Sequence, residues 1–92
     1  STLVFKVFGK MFALTDIDSF EGINLKCEPE KSIDLRERFT AIRPGFHMNH
    51  KHWNTIDFHS DVADSLIFEL IDHSYQLVYQ GLPKKIRDEN PL

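Results

Sequence analysis

Apolar and polar residues alternate from Thr2 to Phe8, which places Leu3, Phe5 and Val7 on one face and Val4, Lys6 and Phe8 on the other. A period of two is the signature of an extended strand, because successive side chains point to opposite sides of the pleat. Met11 to Thr15 is a second β-prone run, and Gly9-Lys10 between the two predicts a tight turn. A polar stretch, Asp16 to Glu21, leads to a third strand over Ile23–Cys27, with Ile23, Leu25 and Cys27 sharing a face. The period then changes. Pro29 suits the first position of a helix, and Leu35, Phe39 and Ile42 continue it as one apolar stripe, ended by Pro44-Gly45. Phe46 to Lys51 has no period and reads as a loop, and Trp53 to Phe58 returns to β character. The last helix is the clearest element. Ser60 or Asp61 can cap it, Val62, Leu66, Ile67, Leu70, Ile71, Leu77 and Val78 supply its apolar content, and Gly81 in the left-handed conformation would end it, with Leu82 folding back. The polar tail from Asp88 to Leu92 is expected to fray. Strands, helix, strand, helix make an α+β chain with an antiparallel sheet of hairpins and flanking helices.

Composition sets the scale. Ninety-two residues, 41% hydrophobic and 27% charged, make one globular domain with little stability to spare. Eight phenylalanines imply a core of large rings, or a face left for something else to cover. The formal net charge of −3 argues against a protein that coats nucleic acid by charge alone. The distribution is more informative than the sum. From Arg38 to Thr55 there is no acid, while Arg38, Arg43, Lys51 and three histidines fall inside it; Lys84, Lys85 and Arg87 form a second cluster. Acids gather from Asp16 to Asp34 and from Asp61 to Asp72, so the chain has a basic pole if folding joins the basic segments. The single cysteine, Cys27, excludes an internal disulfide; no leader or lipidation motif and no apolar run of membrane length is present, which leads to the expectation of a cytoplasmic protein.

The segment Arg43-Pro-Gly-Phe-His-Met-Asn-His-Lys-His-Trp-Asn54 combines cations, amides and two aromatics on one short connection. Arg and Lys neutralise phosphates, Asn49 and Asn54 can hydrogen-bond phosphates or base edges, and Phe46 or Trp53 can stack or pack on sugars. The same residues also suit a plain connection with Trp53 in the core and a solvated polar loop. Lys6 and Lys10 flank the first turn, where they would serve a DNA-contacting hairpin or protect an edge strand from pairing. His47, His50 and His52 lack the fourth, usually cysteine, ligand of a structural zinc site, so no metal or other cofactor is expected. Cys27 shares the apolar face of its strand and reads as structural; Ser74 has no glycine frame around it; the four glycines are dispersed. No catalytic constellation emerges, and the chain is not expected to be an enzyme.

Val4-Phe-Lys-Val-Phe-Gly-Lys-Met-Phe-Ala-Leu14, Leu25-Lys-Cys-Glu-Pro-Glu30, the Arg43–Thr55 segment, Leu70-Ile-Asp-His-Ser-Tyr75 and Gly81-Leu-Pro-Lys-Lys85 resemble the MmcQ/YjbR family in order along nearly the whole chain. The resemblance implies a compact α+β fold, similar to frataxin-like (CyaY-like) and secretion-chaperone-like domains, and DNA binding through a double-wing arrangement of hairpins. Duplex DNA is then the expected partner, and Lys6, Lys10, Arg43, His47, Asn49, Lys51, His52, Trp53 and Asn54 are the candidate contact residues. A protein-binding adaptor is the alternative that the chaperone-like fold and the aromatic surplus suggest. Members of the family usually begin with a helix before the first strand, which this sequence lacks. Either such a segment precedes the given sequence, or the Phe-rich sheet face that it would cover is exposed; if the N-terminus is complete, that face would favour a homodimer.

Overall fold

The computed structural model describes residues 1–92. The first two strands, β1 (Thr2–Val7) and β2 (Lys10–Asp16), form a hairpin closed by Phe8 and Gly9. Their φ angles, 47° and 79°, are both positive, as a type I′ turn requires to match the twist of the strands. The turn therefore lies one residue earlier than the sequence suggests, and it forces a phenylalanine into the left-handed region. The meander continues into β3 (Gly22–Lys26). Helix α1 (Pro29–Arg38) opens on the proline, and a short strand β4 (Ile42–Pro44) pairs with β5 (Trp53–Asp57) as a second hairpin. Helix α2 (Asp64–Gln80) and a final turn-and-a-half, α3 (Lys84–Glu89), complete the chain. The sheet order is β1-β2-β3-β5-β4, antiparallel throughout.

Four local expectations are corrected. Ile42 continues the apolar stripe of α1 in sequence, but the helix stops at Arg38, Phe39 is extended, and Ile42 is the first residue of β4. The cause is tertiary: the Asp61 carboxylate accepts the backbone N–H groups of Thr40 (2.7 Å) and Ala41 (2.8 Å), which draws the chain out of helical geometry. Asp61 is thereby committed, and the residue before α2 is Ala63, without a side-chain cap. Gly81 ends α2 at φ −82°, so no left-handed cap forms, although Leu82 does fold back and is buried. The tail is not wholly frayed, because α3 is tied down by the Tyr79 hydroxyl, which donates to the carbonyls of Arg87 (3.1 Å) and Asn90 (2.8 Å).

Direct partners in an antiparallel ladder share a face. The register Ile23↔Ile56, Leu25↔Asn54, Ala13↔Leu25 and Ile42↔Ile56 therefore puts all these residues on the side that packs against Leu35 of α1 and Ile67 and Leu70 of α2. The other face, carrying Val4, Leu14, Asn24, Lys26, Trp53 and Thr55, has no helix over it. A second cluster joins Val7 to Val78, Tyr79 and Leu82, with Ile86 of α3 alongside. The β2 strand carries an extra residue: Phe5 pairs with Ala13 but Lys6 with Met11, so Phe12 is bulged. Its carbonyl accepts a hydrogen bond from the Ser74 hydroxyl of α2 at 2.6 Å, and that hydroxyl oxygen in turn accepts the Lys26 N–H at 2.9 Å.

Candidate nucleic-acid interface

Both hairpins project from the same end of the sheet. The β1–β2 turn, the last residue of β3 and the first residue of β5 lie there because Val7 pairs with Lys10 and Lys26 with Trp53. That end carries Lys6 and Lys10 on the first hairpin, Lys26 at the end of β3, and His47, Asn49, His50, Lys51 and His52 in the β4–β5 loop. Helix α3 joins it through Ile86, which packs on the cluster containing Val7. There Lys84 pairs with Asp88 at 2.7 Å and Arg87 donates to the Leu82 carbonyl at 3.1 Å, leaving Lys85 unengaged. The opposite end collects Asp16, Asp18, Glu21, Asp57, Asp61 and Asp64. Folding thus separates charge along the strands, with Glu28 and Glu30 of the α1 start interrupting the basic end between the two hairpins.

The β4–β5 loop is held by its own backbone and by α1. Gly45 donates to the Trp53 carbonyl at 2.8 Å, and a Cβ at Gly45 would lie 2.9 Å from that of Trp53, so only glycine permits the approach. The Asn49 side chain accepts the Lys51 N–H at 2.9 Å, a local turn, while its carbonyl accepts the N–H groups of His52 (3.2 Å) and Trp53 (2.9 Å). Arg36 reaches across from α1. Its guanidinium donates to the carbonyls of His50 and Trp53 and, at 2.7 Å, to the Asn54 side-chain oxygen. Asn54 in turn donates to the Ser32 hydroxyl at 3.2 Å. From the other side, Cys27 N–H donates to the His52 carbonyl at 2.8 Å. The loop is therefore a fixed surface whose outward side chains are ordered by inward backbone contacts.

The nine candidate residues divide accordingly. Lys6, Lys10, His47, Asn49 and Lys51 are exposed at the basic end, and His52 and Trp53 are half-buried beside it. Asn54 does not belong to this surface: it is 2% exposed, and both ends of its amide are taken by Arg36 and Ser32. Its parity with Ile56 along β5 already implied an inward position. Arg43 also stands apart, because it makes a bidentate pair with Asp57 (2.7 and 3.1 Å) near the acidic end, and that carboxylate raises its pKa further. Arg36, which positions the loop, was not singled out from the sequence; its spacing of four from Ser32 on one helix face was the available signal. Phe8 and Phe46, at the tips of the two hairpins, are 53% and 70% exposed.

Two titratable groups elsewhere have shifted pKa values. Burial pushes the Cys27 thiol up, against a weaker opposite effect of the Ser32 hydroxyl. His73 accepts the Glu28 N–H at Nε2 (3.3 Å) and is held below its ordinary pKa by burial, then by Lys31. The three loop histidines do not come together with another ligand-bearing side chain. No helix is long and apolar enough to cross a membrane.

The family model described as YjbR matches residues 1–77. The chain belongs to the YjbR family. YbdF of Escherichia coli O157:H7 is 39% identical over 83 residues, 89% of this chain and 68% of that protein. YjbR of Escherichia coli K12 is 34% identical over the same share of this chain and 70% of its own length. Among solved structures, Deinococcus radiodurans protein DR2400, described by the family-model domain DUF419, superposes with a TM-score of 0.88 at 42% identity, over 96% of this chain and 69% of that one. A Pseudomonas syringae protein aligns with a TM-score of 0.69 at 32% identity, over 80% of this chain and 74% of that one. The superposition on the Deinococcus radiodurans protein shows that it and this chain share one α+β fold.

Proposed function

We propose that this YjbR-family chain is a non-catalytic DNA-binding protein that grips a duplex with the two hairpins at the basic end of its sheet. The observation that carries the reading is the placement of both hairpin tips, with Lys6, Lys10, Lys26 and Lys51, at one end while carboxylates gather at the other. The hairpin midlines are three strand positions apart, about 14 Å at the usual spacing of about 4.8 Å, close to the roughly 12 Å width of a major groove. Lysines on each wing neutralise phosphates, and Phe8 and Phe46 at the tips offer apolar contact to sugars or base steps. Glu28 and Glu30 repel phosphate between the wings, so contact falls on the hairpins. Without Arg43 and Asn54, and with Lys26 added, the contact set becomes Lys6, Lys10, Lys26, His47, Asn49, Lys51, His52 and Trp53, with Arg36 positioning the loop.

Charge reversal tests it. Lys10→Glu and Lys51→Glu are expected each to weaken binding to a labelled random duplex by about tenfold or more at low salt. Arg43→Glu, on the acidic side of β4, is expected to change affinity much less. Equal losses in all three, or none in the lysine variants, would remove the site assignment. A second reading, a protein-binding adaptor, is favoured by one feature: an apolar groove of about 370 Å³ bordered by Leu3, Phe5, Phe20, Phe58, Phe68 and Ile71. An adaptor working through that groove would be indifferent to the lysine reversals.

A further inference from the structure

The two edges of the sheet are unlike. β4 is three residues long and ends on Pro44, features that blunt an edge against further pairing. β1 is six residues long, has no proline or inward charge, and exposes Leu3 (43%), Val4 (39%) and Phe5 (43%). Its free hydrogen-bonding groups can be assigned. The Ser1 carbonyl accepts the Ile17 N–H at 2.9 Å, which fixes the phase of the ladder: Ser1, Leu3 and Phe5 face β2, so Thr2, Val4 and Lys6 turn their N–H and C=O groups outward. An edge of this kind is a template for another strand.

We propose that β1 is a self-association surface, on which a second copy of this chain pairs antiparallel about a two-fold axis through Val4. The pairing is argued from the strand edge and not from the DNA reading, with which it shares Lys6. The geometry selects the register. With Val4 opposite its own copy, Thr2 lies opposite Lys6, and all three outward positions meet outward positions of the partner, as hydrogen-bonded pairs require. Leu3 then stands opposite Phe5 on the helix side as a close, non-hydrogen-bonded pair, an aromatic–aliphatic contact of the kind that stabilises antiparallel ladders. Both residues also border the apolar groove, so the groove of each copy opens toward its partner's first strand.

Charge favours this occupant. A two-fold reversal sets the basic end of one copy beside the acidic end of the other: Lys6, the only charge on β1, comes to Thr2, whose neighbour across β1–β2 is Asp16. Parallel pairing would instead place Lys6 beside its own copy. Two short sheets become one of ten strands, closed by symmetry, with the blunt β4 edges outermost.

Val4→Pro is the discriminating variant. Its lost N–H points away from β2, so the single chain keeps its ladder, while the pairing at the axis is broken. Sedimentation equilibrium over a concentration series is expected to give twice the 10.8 kDa chain mass at high concentration. Val4→Pro, with unchanged far-ultraviolet circular dichroism, is expected to weaken association by about tenfold or more. Phe5→Lys provides a second variant that leaves the backbone intact and is expected to weaken it as well. A single-chain mass at every concentration would overturn the proposal. So would a dimer that survives Val4→Pro but is lost in Phe5→Lys, since it would rest on the groove and not on strand pairing.

Discussion

The hydroxyl of Ser74 takes the place of a missing rung between β2 and β3. The bulge at Phe12 leaves a carbonyl and the Lys26 N–H without strand partners, and one oxygen from α2 serves both at 2.6 and 2.9 Å. Ser74→Ala is therefore expected to cost about 2–3 kcal/mol, the desolvation penalty of two unmet backbone groups less what water recovers. Urea denaturation reads this, and a loss comparable to an ordinary surface substitution would contradict it. His73, next in the chain, makes a pH prediction. Its folded pKa lies below the unfolded value, through burial and then Lys31, so the unfolded state binds its proton more readily. Stability from this residue is complete above the unfolded pKa of about 6.5 and is lost as pH falls toward the folded value. Between pH 7.5 and 5.5 the wild type is expected to lose more stability than His73→Gln; parallel curves would show that the residue does not couple folding to protons. The role of Ser74 was not legible in the sequence, which marks it only as a serine within a helix. The inward position of Asn54, by contrast, could be read from its parity with Ile56.

At the scale of elements, the first hairpin carries a conflict between local preference and placement. Phe8 at φ 47° occupies a turn position that asparagine or glycine fills without strain, and its ring is left exposed. Phe8→Asn is expected to stabilise the fold by about 0.5–1 kcal/mol, while weakening duplex binding several-fold through loss of the tip ring. Stabilisation without loss of binding would mean that the ring contributes nothing to the interface. The strands of the opening meander, the start of α1 and the body of α2 follow from periodicity, since each buries a repeating apolar face. β4 does not, because Ile42 sits where another helical turn would place it. Only the distant Asp61 carboxylate, capturing Thr40 and Ala41, turns the chain into a strand there. The α3 helix escapes sequence reading for the same reason: six polar-rich residues become a helix because the Tyr79 hydroxyl holds their far end.

Across the whole molecule, an acidic chain of net charge −3 acquires a basic end because antiparallel topology brings two turns and the end of β3 to one side. The basic segments were visible in the sequence, whereas their convergence depended on β4, without which the second hairpin has no first arm. The same topology leaves β1 as the long open edge and makes a two-fold pairing reverse the charged ends. Duplex binding at the basic end is the central claim, and the salt dependence of binding tests it most directly. Fluorescence anisotropy of a labelled random duplex, titrated from low to physiological salt, is expected to give micromolar affinity at low salt. The affinity should fall linearly in log salt with a slope of up to about −3.6, the value for four lysines each meeting a phosphate, and Lys51→Glu should reduce that slope by about 1. No binding at the lowest salt, or binding that salt does not weaken, would contradict the account.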